Sequence, residues 1–148
     1  MDPYRIIVSG RIKHFISAFG EHVIGEEVEQ AMLATLESCG GKITEFTVAP
    51  FVSQNNGKSY HEWFVEFEKE PNDLTDFSHK LDQMMQQKNV YYEDLITGNI
   101  LAPLKITHIR KDGFVDYMKS IGKLGGQNKV PRLSNDRKIA EGMADFYL

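Results

Sequence analysis

The stretch "KITEFTVAPFVSQNNGKSYHEWFVEFE", residues 42–68, decides how this chain folds. Its second half alternates. His61, Trp63, Val65 and Phe67 fall on one side of an extended strand, and Glu62, Phe64, Glu66 and Glu68 on the other. The first half, 42–53, is rich in β-branched and aromatic residues, and "QNNGKS" between the halves is turn-forming. The pair predicts a hairpin. Pro50 has no N–H to give to a ladder, so the first strand is expected at an edge or a bulge.

Working outward, residues 24–41 predict a helix. Ile24, Val28, Ala31, Met32 and Thr35 or Leu36 recur at helical spacing. Glu26 and Glu27 suit its positive end, and Gly40 and Gly41 stop it. Residues 71–89 predict a second helix, capped by Asn72 or Asp73, with Leu74, Phe77, Leu81, Met84 and Met85 as its stripe. A helical turn follows over 91–98, then a strand over 104–110. Asp112 is expected to cap a short helix over 113–122, with Phe114, Val115, Tyr117, Met118 and Ile121 inward, and a last helix to occupy 136–148. At the other end, 4–9 reads as a strand, and Gly10 allows a hairpin within 1–23. Strands and helices in this order predict an α+β domain: a small, mostly antiparallel sheet covered by helices.

The 148 residues fit one domain with room for a core. No apolar run is long enough to cross a membrane, and "MDPYRIIVSG" lacks the pattern of a secretory signal. The single cysteine, Cys39, excludes an internal disulfide and is expected to pack at a helix end. These features predict a cytoplasmic protein. The five histidines, His14, His22, His61, His79 and His108, lack metalloprotease spacing, and two are expected to face the core; no metal site is predicted. Serine-hydrolase, P-loop and dinucleotide motifs are absent.

The net charge of −4 is unevenly spread. Residues 1–104 balance at −8, and residues 105–138 at +6. The basic segment contains "GKLGGQNKVPRLSN", 122–135, which has almost nothing apolar. Gly122, Gly125 and Gly126 permit close backbone approach to a ligand, and successive amides there can cradle an anion. Lys129 carries a compact charge on a long stem, Pro131 stiffens the chain behind it, and Arg132 offers a planar fork. A phosphate-bearing partner is the natural fit.

The two segments "GRIKHFISAFGEHV" (10–23) and "QNKVPR" (127–132) together resemble the C-terminal domain of the auxin-responsive Gretchen Hagen family of acyl-acid amido synthetases, in its bacterial branch. The family is similar to the wider adenylate-forming superfamily. Gly10, Arg11, Ile16 and Gly20 match the superfamily's hinge pattern GRxDxxI…G, with Lys13 where many relatives carry aspartate. The second segment matches Q-x-K-x-P-R and places Lys129 on the family's lysine.

The resemblance implies a hinge of Gly10, Arg11, Lys13 and Gly20, a catalytic Lys129, and a phosphate loop of Gly125, Gly126, Gln127 and Arg132. It implies a hinge hairpin over 1–23, a body over 24–121 and the lysine loop and tail over 122–148, all one lid domain. The implied reaction activates a carboxylic acid with ATP and passes the acyl group to an amine. The implied partner is a large N-terminal adenylation domain that houses ATP and its Mg; without it the chain is expected to be inactive. A stand-alone binding or regulatory module with a basic, anion-binding surface is the alternative; nucleic acid is disfavoured by the acidic whole.

Overall fold

The computed structural model describes residues 15–16, 18–53, 57–122 and 130–148. In chain order it forms β1 (Phe15–Ile16), β2 (Val23–Ile24), α1 (Gly25–Cys39), β3 (Lys42–Phe51), β4 (Tyr60–Lys69), α2 (Leu74–Lys88), α3 (Val90–Thr97), β5 (Lys105–His108), α4 (Gly113–Ser120), α5 (Lys138–Gly142) and a 3-10 turn (Ala144–Phe146). This is the α+β architecture expected from the strand and helix pattern. The expected strand over 4–9 and the turn at Gly10 lie outside the described residues.

The sheet order is β3-β4-β5, with a separate two-stranded ribbon of β1 and β2. The β3–β4 hairpin is antiparallel, pairing Val48 with Trp63 and Phe46 with Val65, and its register shifts near Ile43. By contrast, β5 runs parallel to β4, pairing Ile106 with Trp63, so the sheet is mixed. Pro50 lies in β3, an outer strand, as its missing N–H requires. The outer side of β3 is nevertheless used: Val48 bridges Leu133 in parallel.

β4 is the central strand, and both its faces are covered. One face carries Trp63 and Val65, which pack with Val28, Ala31 and Met32 of α1 and Phe77, Leu81 and Met85 of α2. The other carries Phe64, which packs with Phe114, Tyr117 and Met118 of α4 and with Val130, Ala140 and Met143. Burying the fully enclosed side chains Trp63, Phe64, Phe77 and Leu81 contributes about 1.5–3 kcal/mol each for residues of this kind.

The helix ends follow local chemistry, with two exceptions. Asp73 caps α2, its Oδ1 accepting from the Asp76 N–H at 3.1 Å. Asn89 ends α2 and caps α3, accepting from the Tyr92 N–H at 2.9 Å. The eight-residue α3 is longer than the single turn expected. Ile24, expected within the first helix, is instead its extended, part-exposed N-cap residue, and Glu27 reaches back to its N–H at 3.0 Å. Asp112 stands at the N-cap of α4 but has φ 64° and makes no side-chain cap. Glu66 from β4 takes that role, accepting from the N–H groups of Asp112 at 2.9 Å and Phe114 at 3.2 Å. The last expected helix is a short one plus a 3-10 turn, and the short helix's final residue, Gly142, lies so close to the Tyr117 ring that a Cβ there would come within 2.8 Å of Cε1.

Candidate functional site

Two segments carry the residues expected to act: the one entering the body through residue 24 and the one leaving it after Ser120. Of the expected hinge residues, Gly20 is described, and Gly10, Arg11 and Lys13 lie outside the described residues. Lys129, Gly125, Gly126 and Gln127 lie outside them too, whereas Arg132 is described.

The entering segment is fastened to the body by a buried carboxylate. Gly20 has φ 90°, a left-handed conformation suited to glycine. Next to it, the Glu21 side chain is fully buried. Its Oε1 accepts from the Phe19 N–H at 2.9 Å, and its Oε2 stands 2.5 Å from Nε2 of His61 on β4. The His61 ring also faces Phe19 and Tyr92. Tyr92 donates to Asp82 Oδ1 at 2.5 Å, and burial, reinforced by the Asp82 charge, holds its hydroxyl well above the usual tyrosine range. Asn89 adds a tie, donating to the His22 carbonyl at 3.3 Å and to Glu27 at 3.1 Å.

The leaving segment starts at Gly122, whose φ of 72° turns the chain out of α4. It returns as Val130–Ser134 along the free side of β3. Val48 N–H donates to the Arg132 carbonyl at 2.9 Å, and Ser134 N–H donates to the Val48 carbonyl at 2.9 Å. Thr47 Oγ1 donates to the Pro131 carbonyl at 2.6 Å. The Arg132 guanidinium bonds Glu45 and the Phe46 carbonyl, the latter at 2.9 Å, stands 3.6 Å from Glu29, and lies over the Phe46 ring at 4.5 Å.

Beyond it, Arg137 donates to Glu62 at 2.8 Å and covers the Phe51 and Phe64 rings. The second oxygen of Glu62 accepts from Thr107. Both segments border one open cleft of about 390 Å³, with Ala18 on one wall and Asn135, Asp136 and Arg137 on another. The chain before the body and the chain after the basic loop therefore meet beside the end of β3.

Sequence reasoning missed the Glu21–His61 pair. The available signal was His61 itself, a polar residue in phase with Trp63 and Val65, which requires a partner once buried. Among the described residues no group of three or more His, Cys, Asp or Glu side chains could hold a metal ion. No described helix is long and apolar enough to cross a membrane.

The family described as the GH3 family C-terminal domain matches residues 26–138. Among solved structures, the chain is similar to a "GH3.15 acyl acid amido synthetase", with a TM-score of 0.71 and 15% identity over 92% of this chain. It is similar as well to "AtGH3.15 acyl acid amido synthetase in complex with 2,4-DB", with a TM-score of 0.70 and 16% identity, again over 92% of this chain. The chain spans only 26% of the length of either structure, and at such identity the likeness speaks for the fold alone. No curated protein matches. The family match runs through most of the chain, from α1 past the basic loop into α5, so the chain belongs to the GH3 family as its C-terminal domain.

Proposed function

We propose that this domain is the mobile lid of an ATP-dependent acyl-acid amido synthetase, bringing Lys129 to a nucleotide held by a large N-terminal adenylation domain. The observation that carries this reading is the family match across residues 26–138, which spans the basic loop and its lysine. In the first step a substrate carboxylate attacks the α-phosphate of ATP, giving an acyl-adenylate and pyrophosphate. In the second an amine attacks the acyl carbon and AMP leaves. Negative charge grows on phosphate oxygens in the first step. An ammonium group held there stabilises that charge more in the transition state than in the ground state.

Gly125, Gly126 and Gln127 would offer backbone amides to the same phosphates. Arg132 could join them only by leaving Glu45 and the Phe46 carbonyl. Gly10, Arg11, Lys13 and Gly20 would form the hinge on which the lid turns between the steps. ATP and Mg would belong to the large domain, in the cytoplasm.

The alternative, a stand-alone anion-binding module, draws less support. Arg110, Arg132 and Arg137 of the basic segment are each paired with a carboxylate of the body: Asp116, Glu45 and Glu62. Their charge is largely spent at home.

ATP–pyrophosphate exchange tests the reading. The chain alone should show none, and the chain assembled with its large domain should show it. Lys129→Ala should cost about 3 kcal/mol of transition-state stabilisation, on the order of a hundredfold in rate. Robust exchange by the chain alone, or an unaffected Lys129→Ala assembly, would overturn the proposal.

A further inference from the structure

We propose that Arg132 acts as a positioning residue: clasped by Glu45 and Glu29 against β3, it fixes the chain immediately after Lys129 instead of binding phosphate. The inference rests on the lid reading above for its catalytic consequence, and on described residues alone for its geometry. Four independent restraints converge on residues 130–134. The backbone is hydrogen-bonded to Val48 on both sides of Leu133, the Arg132 carbonyl accepting from the Val48 N–H and the Ser134 N–H donating to the Val48 carbonyl. Thr47 holds the Pro131 carbonyl. Val130 and Leu133 are buried in the two opposite cores of the sheet, one on each face of β3. The guanidinium closes the set by gripping Glu45, the Phe46 carbonyl and the Phe46 ring.

The chemistry of the clasp favours anchoring over ligand binding. A guanidinium matches a carboxylate with directed, charge-assisted bonds, and its flat face stacks on an aromatic ring. Arg132 is 31% exposed and Glu45 only 17%, so water competes weakly for the pair. To bind a phosphate the arginine would have to leave an acid that then stays part-buried and unpaired. Lys129 is bonded directly to Val130, whose place is set by this clasp. On the lid reading, a shift of the chain at Val130 would carry to the residue before it, and a displacement of about 1 Å in a catalytic group can cost on the order of a hundredfold in rate.

The test combines two measurements on Arg132→Gln, Arg132→Lys, Glu45→Gln and the Arg132→Gln/Glu45→Gln pair. Amide exchange of the 148-residue chain reads the clasp directly. Arg132→Gln and Glu45→Gln should each speed exchange of the Ser134 and Val48 amides by roughly tenfold, while amides shared by β3 and β4 stay protected. Unchanged exchange at those two amides would overturn the clasp whatever the enzyme does.

In the assembly with the large domain, Arg132→Gln should lower the kcat of ATP–pyrophosphate exchange by roughly tenfold or more, with the KM for ATP within about twofold of wild type. Glu45→Gln should follow it, the pair should be no worse than the worse single variant, and Arg132→Lys should lie between. A raised KM for ATP in Arg132→Gln, with Glu45→Gln neutral, would make Arg132 a phosphate ligand and refute positioning. Loss of the lid reading itself would show differently, as an assembly indifferent to Lys129→Ala.

Discussion

Replacing His61 by leucine probes the tie that secures the chain where it enters the body. Glu21 and His61 are 0% and 1% exposed, and 2.5 Å separates their facing atoms. In His61→Leu the carboxylate keeps one donor, the Phe19 N–H at 2.9 Å, and loses the other. Breaking a buried pair by removing one partner costs about 3–5 kcal/mol, because the remaining charge is stranded. Leucine restores some apolar burial in the pocket beside Phe19 and Tyr92, so the low end, about 3 kcal/mol, is expected. For a chain of this length that corresponds to a fall in Tm of about 6–12 °C.

The charge, and not the lost volume, is the argued cause, and a double-mutant cycle separates them. Adding Glu21→Gln to His61→Leu removes the stranded carboxylate and should recover a kcal/mol or so, roughly a third of the loss. Thermal unfolding followed by circular dichroism reads all four proteins of the cycle. A His61→Leu loss below about 1 kcal/mol, or a coupling indistinguishable from zero, would mean that water reaches Glu21 and that the tie is ornamental.

Two further outcomes follow from buried groups. Glu66→Gln keeps a single carbonyl for the two amides of α4 that the carboxylate now serves, and it removes a charge from that helix's positive end; urea unfolding should show a loss of about 2 kcal/mol, and a loss under about 0.5 would refute the cap. Tyr92 has a folded pKa raised above its unfolded value of about 10, so the stability it adds is full below that pH and drains away as pH climbs toward the folded value, at about 1.4 kcal/mol per pH unit. Tyr92→Phe lacks that slope: it should be less stable than wild type at neutral pH, where Asp82 loses one of its donors, and the gap should narrow above about pH 10. A gap that stays constant into strong alkali would show that Tyr92 ionises freely in the fold.

The sheet and its covering helices were legible where a short period repeats without interruption. The alternation of 60–68 and the turn before it suffice for the β3–β4 hairpin, and Asp73 and Asn89 mark helix ends by side-chain chemistry that acts within four residues. What was not legible depends on distant partners. Four residues of β5 carry no sign of direction, and its parallel course follows from the chain crossing over α2 and α3 before it returns beside β4. Asp112 has the right residue type for a cap, yet Glu66, forty-six positions away, does the capping, because a buried acid outcompetes a local one for the same amides. Arg132 shows the same limit at the candidate site: its type suggests an anion partner, and the sequence does not say that β3 supplies one. Lys129 was singled out by motif and loop composition, and its motif lies among the residues the family match spans.

The polar residues of β4 explain why so irregular a tail holds together. A central strand buried on both faces has no solvent to receive its hydrophilic side chains, so each must recruit a partner from elsewhere in the chain. His61 recruits Glu21 from the entering segment, Glu62 recruits Thr107 and Arg137, and Glu66 recruits the first turn of α4. Three side chains on one strand thus fasten the chain before the body, within it and after the basic loop. On the proposed lid reading, a rotation delivered near Gly20 would reach residue 130 only if the intervening structure did not yield. His61, Glu62 and Glu66 are therefore the side chains through which β4 ties the entering segment, Arg137 and α4 to one sheet, and on the proposed lid reading they would let the domain turn as one body.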